Sequence, residues 1–360
     1  MTTQADLRQI VAGVDTHKQT HHAAVLDANT GRLLADNEFP ATAAGYRQLA
    51  SWVDTYGSLI KAGLEGTGSY GAGLQRHLQS QGVTVIEVSR PNRQERRKRG
   101  KSDPIDAINA ARAVLSESAA TTPKFRDGYV EAVRQIRTTR RGAVKARRSA
   151  LNQLHGLLWG APEELRAKLS GYDRAALVTR CARLRTPTGA ALDDPSITVR
   201  RMLRRIAKRI QMLDEEIADA NQELDGLLTV HTPNLLAVSG VGTEAAGQLL
   251  TTAGQNLNRI KSEASLARLC GVAPIPASSG NTTRHRLHRG GDRDANSSIH
   301  LVVISRLRWH QPTKDYLDRR TREGKTKKEI IRCLKRAVVR ELYRALQADL
   351  NPQRQLLDAA

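Results

Sequence analysis

The sequence predicts an α/β domain followed by a region that is mostly helical. Short β-branched segments alternate with amphipathic segments over the first part of the chain. From about residue 195, apolar residues recur every three or four positions, which is typical of a long packed helix. The 360 residues are enough for two or three domains. We therefore predict an α/β domain at residues 1–125, a helical coiled-coil region at 126–230, a mostly helical domain at 231–350 and a tail at 351–360.

Strands and carboxylates coincide in the first domain. Apolar, β-branched patterns predict strands at residues 9–15, 22–27, 32–36, 59–65 and 83–88, and an amphipathic helix at 41–56. A turn at residues 29–31 joins the second and third strands, so the first three strands are predicted to form a meander. Two strands end in a carboxylate, Asp15 in the first and Glu65 in a later one. Ligands of α/β sheets usually bind at the carboxyl ends of the strands. For Asp15 taken alone, a residue that merely starts a turn is an equally good interpretation.

A basic segment and an acidic helix start close the first domain. Asp103 and Asp106 are three residues apart and share one face of a predicted helix, which Ser102 or Asp103 caps and Pro104 begins. We expect phosphate contacts from the basic segment directly before this helix, the alternative being a solvated loop. Its cations are Arg90, Arg93, Arg96, Arg97, Lys98, Arg99 and Lys101.

Four carboxylates in one place require a cation. If Asp15, Glu65, Asp103 and Asp106 converge, their mutual repulsion raises their pKa values unless a positive ion neutralises them. Hard oxygen ligands suit Mg²⁺ or Mn²⁺. Two such ions, about 3.5–4 Å apart, stabilise the attacking and the leaving oxygen of a phosphoryl transfer.

The composition indicates a polyanionic partner. Lys and Arg total 57 against 36 Asp and Glu, a formal net charge of +21, which favours nucleic acid or an anionic membrane. No apolar run is long enough to span a bilayer and the start is not a signal peptide, so we expect a cytoplasmic protein that does not bind membranes. Aromatic residues make up 3% of the chain, which predicts phosphate contacts rather than base stacking. The three cysteines lie far apart and do not resemble a zinc site.

The central region predicts long basic helices. Residues 130–159 are helical in pattern and rich in arginine. A heptad pattern follows after Asp194 and Pro195; its apolar positions are Val199, Leu203, Ile206, Ile210, Leu213, Ile217, Ala220, Leu224 and Leu227. The partner of this helix is either the helix at 130–159 or another subunit. Its basic face, between Arg200 and Arg209, predicts nucleic-acid contact, with a solvated face as the alternative.

The C-terminal domain has two candidate phosphate-contacting motifs. Residues 235–250 resemble a helix-hairpin-helix, in which the amides of Gly240 and Gly242 could hold a phosphate; a plain helical packing unit is the alternative. Ser278 and Ser279 follow in a predicted turn, where a hydroxyl can project. The cations after them, Arg284, Arg286 and Arg289, could stabilise a phosphoryl transition state. Helices are predicted at 295–309 and 326–350.

These motifs resemble a known family. The order strand-Asp, strand-Glu, helix-Asp-x-x-Asp, with the K-S-D-P-x-D form at 101–106, looks like a RuvC-like RNase H fold with a D-E-D-D set. Residues 9–345 are similar to the DEDD transposases of bacterial insertion sequences, in the insertion sequence one-ten family of bridge-RNA-guided recombinases. The C-terminal signature is G-x-A-P, S-S-G and H-R-G-G-D; many relatives differ at the place of Arg289 to Asp292.

The resemblance implies a site and partners. It makes Asp15, Glu65, Asp103 and Asp106 ligands of Mg²⁺ or Mn²⁺, and Ser279 the nucleophile that links covalently to DNA, with Ser278 the runner-up. It also implies element-end and target DNA, a guide (bridge) RNA, a homo-oligomer (dimer or tetramer), and a bacterial, nucleoid-associated protein. Both catalytic regions would act together, within one chain or between chains.

Two other functions fit parts of the pattern. A RuvC-like metal-dependent nuclease or junction resolvase would use water as its nucleophile and form no covalent adduct. A non-catalytic scaffold would bind nucleic acid with steep salt dependence and would tolerate loss of Asp103 or Asp106.

Overall fold

Two compact units make up the chain. The computed structural model describes residues 8–88, 102–117, 120–185, 193–280, 285–286 and 288–350. The first unit comprises Met1–Arg126 and Gly254–Arg259, and the second comprises Asp127–Ala253 and Ile260–Ala360. The first holds the larger sheet and the second is mostly helical, so the predicted fold class is confirmed. None of the described helices has the length and hydrophobicity needed to cross a membrane.

The first unit contains a mixed six-stranded sheet with the order β3-β2-β1-β4-β5-β6. The strands are β1 (Gln9–Thr16), β2 (Thr20–Asp27), β3 (Leu33–Pro40), β4 (Ser58–Leu64), β5 (Val85–Val88) and the two-residue β6 (Ala120–Thr121). β1, β2 and β3 form an antiparallel meander, as predicted, with β3 longer than the sequence suggested. β1, β4 and β5 run parallel, so their carboxyl ends share one edge.

Helices cover both faces of this sheet. They are α1 (Ala43–Asp54), α2 (Ala72–Ser80) and α3 (Asp103–Leu115). One core joins Ile10, Ala12 and Val14 of β1 to residues of α1 and α2. The other joins Val11 to Ala110 and Ala111 of α3. Side chains of a strand alternate between faces, so the odd-numbered residues of β1 face α3.

α3 approaches β1 closely at Gly13. A Cβ atom on Gly13 would lie 2.2 Å from both the carbonyl oxygen of Ala107 and the amide nitrogen of Ala111. Ala107, Ala110 and Ala111 are fully buried at this contact. The small residues on this face of the helix therefore let its backbone lie against the strand.

The second unit is built on two long helices of the same chain. Its elements are α4 (Gly128–Trp159), α5 (Glu163–Leu169), α6 (Arg174–Ala182), α7 (Pro195–His231), α8 (Pro233–Ala237), α9 (Thr243–Ala253), α10 (Glu263–Leu269), β7 (Ile275–Pro276), β8 (His285–Arg286), α11 (Arg293–Trp309), α12 (Gln311–Arg322) and α13 (Lys327–Leu350). α7 packs against α4, so the helix predicted at 130–159 is its partner within the chain.

The burial of α7 follows the heptad pattern in part. Leu203, Ile210, Ala220 and Leu224 are buried as predicted, whereas Ile206, Leu213, Ile217 and Leu227 are half-buried. Ala207 and Leu228 are buried although the pattern did not include them. α12 was not predicted from the sequence. Thr313 is the one residue that this helix buries.

The close approach at Gly13 predicts a large effect of a single methyl group. Gly13→Ala should lower the free energy of unfolding of the first unit by about 1–3 kcal/mol, because the new Cβ overlaps helix backbone that cannot rotate away. Gly142→Ala is the control, since a Cβ there meets open space in α4 and should stabilise by about 0.5–1 kcal/mol. Urea denaturation followed by circular dichroism measures both; an unchanged Gly13→Ala midpoint would contradict the packing.

Candidate metal centre and serine segment

Asp15, His17 and Asp103 form a cluster suited to a cation. One oxygen of each carboxylate and a ring nitrogen of His17 all lie within 4.8 Å of one another. His17 Nε2 is 3.1 Å from Asp15 Oδ2 and 3.4 Å from Asp103 Oδ1. Asp15 is buried, while His17 and Asp103 are partly exposed. The cluster therefore has a fixed side and a side open to solvent.

Strand alternation explains the position of the cluster. Val11, Gly13 and Asp15 lie on the face of β1 that α3 covers, and Asp15 comes just before the carboxyl end of the strand. Asp103 is the first residue of α3, which lies across Gly13 through Ala107 and Ala111. The contact at Gly13 thereby brings the start of the helix beside the end of the strand.

Glu65 is held next to this strand end by its backbone. Its amide donates to the carbonyl of Val14 at 3.0 Å, and its carbonyl accepts from the hydroxyl of Thr16 at 2.7 Å. Gly66 follows in the left-handed region with φ 67° and lets the chain turn away from the sheet edge. The backbone therefore places Asp15 and Glu65 on adjacent chain segments at one edge of the sheet, as predicted.

The side chains of Glu65 and Asp106 are not members of the 4.8 Å cluster. Glu65 is half-buried, and Asp106 is 1% exposed in the first turn of α3. Of the four predicted carboxylates, the structure thus brings Asp15 and Asp103 together around His17.

His17 is the residue that sequence reasoning missed. The histidines of β2 have other contacts: His22 Nε2 lies 2.7 Å from Asp36 Oδ1, and His21 is buried and stacked on Tyr46. Burial lowers the pKa of His21, which favours its neutral form. His17, two residues after Asp15, continues the face of Asp15 past the strand end, and that odd-numbered spacing is the signal that could have identified it.

The donor set fits a divalent cation. Carboxylate oxygens suit Mg²⁺ and Mn²⁺, and an imidazole nitrogen adds a ligand that transition ions accept. The carboxylates of Asp15 and Asp103 are also close enough to repel each other unless a positive charge lies between them. The residues present therefore match the cation that the sequence predicted, with one nitrogen ligand added.

The predicted serines lie in the second unit on an exposed segment. Ser278 and Ser279 follow β7, which pairs antiparallel with β8 so that Pro276 lies opposite His285. Gly280 has φ 54°, a left-handed conformation that turns the chain directly after Ser279. Both serines are exposed, so a hydroxyl at either position is accessible to a phosphate group of a bound substrate.

The predicted nucleic-acid contacts divide into two groups. Arg286 and Arg289 are exposed, and Gly240, with φ 80°, forms the turn between α8 and α9 together with Gly242. The turn at Gly240 packs on α11, where Arg306 Nε donates to the carbonyl of Ser239 at 2.7 Å. The cations of the basic segment and Arg284 lie outside the described residues: Arg90, Arg93, Arg96, Arg97, Lys98, Arg99, Lys101 and Arg284.

Comparison with known proteins matches both units to transposases. Residues 12–161 match the DEDD transposase domain of the IS110 family, described as a transposase, and residues 232–318 match the transposase IS116/IS110/IS902 family. The insertion element IS900 uncharacterized 42 kDa protein of Mycobacterium paratuberculosis is 26% identical over 146 residues, 40% of this chain. The matched stretch spans 37% of that relative's length.

The first match contains the cluster and all four predicted carboxylates, and the second contains both serines. The chain thus carries two stretches that are similar to transposases, one in the region of the metal-ligand cluster and one in the region of the serines.

Proposed function

We propose that this protein is the DNA transposase of an insertion sequence, which cuts and rejoins DNA strands. The observation that carries the proposal is the Asp15, His17 and Asp103 cluster, which lies inside a stretch that matches a transposase domain. A second transposase match over the serine segment supports it.

The carboxylates would hold Mg²⁺ or Mn²⁺. Asp15, His17 and Asp103 supply the ligands that already lie within reach of one another, and Glu65 and Asp106 are proposed to complete the D-E-D-D set when DNA binds. A bound divalent ion supplies positive charge that stabilises a developing oxyanion and favours deprotonation of an attacking hydroxyl. Asp15 anchors the ligand set because it is buried on a central strand.

Ser279 is proposed as the nucleophile, with Ser278 as the runner-up. The serine oxygen forms a bond to a backbone phosphorus, a deoxyribose oxygen leaves with a proton, and the serine proton passes to a base. The phosphoserine ester conserves the bond energy, so attack by another strand's hydroxyl restores a phosphodiester and the serine. Exposed cations such as Arg286 and Arg289 would stabilise the charge on the phosphate.

Guide RNA and self-association complete the proposal. A net charge of +21 with 3% aromatic residues supports binding through phosphates, which positions nucleic acid without reading its sequence. From the resemblance to bridge-RNA-guided recombinases, we propose that a guide (bridge) RNA selects the DNA, and that a homo-oligomer, a dimer or a tetramer, handles the ends of the element and the target.

Nitrogen ligation of the metal is directly testable. Mn²⁺ added to the wild-type protein should show ¹⁴N coupling in electron spin echo spectra, because His17 Nε2 lies among the carboxylate oxygens. His17→Gln should lose this coupling and bind Mn²⁺ more weakly in calorimetry. His22→Gln is the matched control, since His22 pairs with Asp36. A wild-type spectrum without nitrogen coupling would show that His17 is not a ligand.

The activity is tested by joining of labelled DNA in the presence of Mg²⁺ and guide RNA. Asp15→Asn should reduce joining by at least about a hundredfold, because it removes the buried anionic ligand. Asp36→Asn, a matched change on β3, should leave joining intact. Undiminished joining by Asp15→Asn would refute the metal role.

The same reaction, denatured and run on a gel, separates the serine mechanism from its alternative. A protein–DNA adduct should form with wild type and Ser278→Ala and disappear with Ser279→Ala. Normal cleavage without any adduct in the double serine variant would instead favour a metal-dependent nuclease that uses water.

A further inference from the structure

A basic cleft opens beside the first half of α11 in the second unit. It lies where α11, the segment that precedes it and one residue of α13 meet. The residues that define this basic cleft here are His288, Arg289, Arg293, Asn296, His300 and Lys335. Lys335 lies beyond residues 232–318, the stretch of the second unit that matches a transposase domain.

The cations of the cleft are not neutralised from within the protein. Among the described residues, Arg289, Arg293 and Lys335 form no ion pair, in contrast to Arg306, Arg336 and Arg340 nearby in the sequence. In the part of the chain that the structure describes, these three cations therefore lack a carboxylate within ion-pair distance.

The carboxylate of the cleft is already engaged. Asp292 caps α11: its Oδ1 accepts from the amides of Asp294 at 2.9 Å and Ala295 at 3.1 Å. Its Oδ2 accepts from the hydroxyl of Thr252 at 2.7 Å and from the side-chain amide of Gln248 at 3.3 Å. Four neutral donors hold this carboxylate as a helix cap. Its single negative charge is outnumbered by Arg289, Arg293 and Lys335, so the cleft carries a net positive charge.

Lys335 is fixed in place by a neutral partner. Its ammonium donates to Oδ1 of Asn296, whose Nδ2 donates to the carbonyls of Cys270 at 3.2 Å and Gly271 at 2.7 Å. Burial lowers the pKa of Lys335, and a bound anion would favour its charged form. A lysine that is positioned, partly desolvated and without a carboxylate is well prepared to bind an anion.

We propose that the basic cleft binds a backbone phosphate of nucleic acid, with Lys335 as the central contact and Arg289 and Arg293 beside it. Phosphate oxygens suit both the lysine ammonium and the forked arginine donors. The chain's net charge of +21 favours a polyanion over a small free anion. The identity of the ligand as nucleic acid rests on the proposed function, whereas the binding itself needs no catalysis.

The test measures binding without cleavage, in EDTA. Fluorescence anisotropy with a short random-sequence DNA duplex, and separately with an RNA strand of the same length, is recorded over a series of KCl concentrations. Lys335→Gln should weaken binding of at least one probe by about tenfold and reduce the slope of log affinity against log salt by about one, the loss of one phosphate contact. The probe that loses the contact identifies the nucleic acid.

Two further variants make the result decisive. Lys168→Gln is the matched control: this exposed lysine is paired with Glu164 at 2.6 Å and should leave affinity and slope unchanged. Arg289→Gln, at an exposed position where folding is not at stake, should repeat the effect of Lys335→Gln. Unchanged affinity and slope for both probes in Arg289→Gln and Lys335→Gln would overturn the assignment. Loss of DNA joining by Asp15→Asn is a separate readout, so the two proposals can fail independently.

Discussion

The contact between α3 and β1 at Gly13 is the constraint on which the candidate metal centre depends. A helix and a strand come within backbone contact there because the strand has a glycine and the helix has alanines at 107 and 111. This closeness brings Asp103, at the start of the helix, beside Asp15 at the end of the strand. A larger side chain at the contact would separate the two carboxylates without changing either.

The sequence was sufficient to predict the strand meander, the helix with the D-P-x-D motif and the placement of Asp15 and Glu65 at one sheet edge. Period-two alternation and helix-start signals are local, so they can be read without tertiary structure. His17 was missed because it lies after the predicted end of the strand, and its spacing of two residues from Asp15 indicates a shared face only if the alternation continues past that end. Its role depends on where α3 packs, which is a long-range property.

The same distinction holds in the second unit. The heptad pattern predicted α7, but the burial of Ala207 and Leu228 follows from the actual shape of α4. α12 was missed because it is strongly polar in composition and Thr313 is the one residue that it buries. The helix that carries Lys335 was predicted, but the partial burial of this lysine and its contact with Asn296 depend on the packing of α13 near α11.

Positive charge in the second unit is used in two ways. Arg137 and Arg140 of α4 bind Glu244, Arg141 binds Asp294, and Arg147 binds Asp214 of α7, so these cations stabilise helix packing. The cations of the basic cleft have no such partners among the described residues. Net charge therefore predicted a polyanionic partner from the sequence alone, while the location of the unpaired cations required the structure.

The most direct test of the account is the affinity of Gly13→Ala for Mn²⁺, measured by calorimetry on protein whose circular dichroism matches wild type. All metal ligands remain in this variant, but the helix can no longer lie against the strand. We predict about 10–100-fold weaker binding, the usual scale when groups that orient metal ligands are disturbed. Wild-type affinity in the folded variant would contradict the claim that this contact assembles the site.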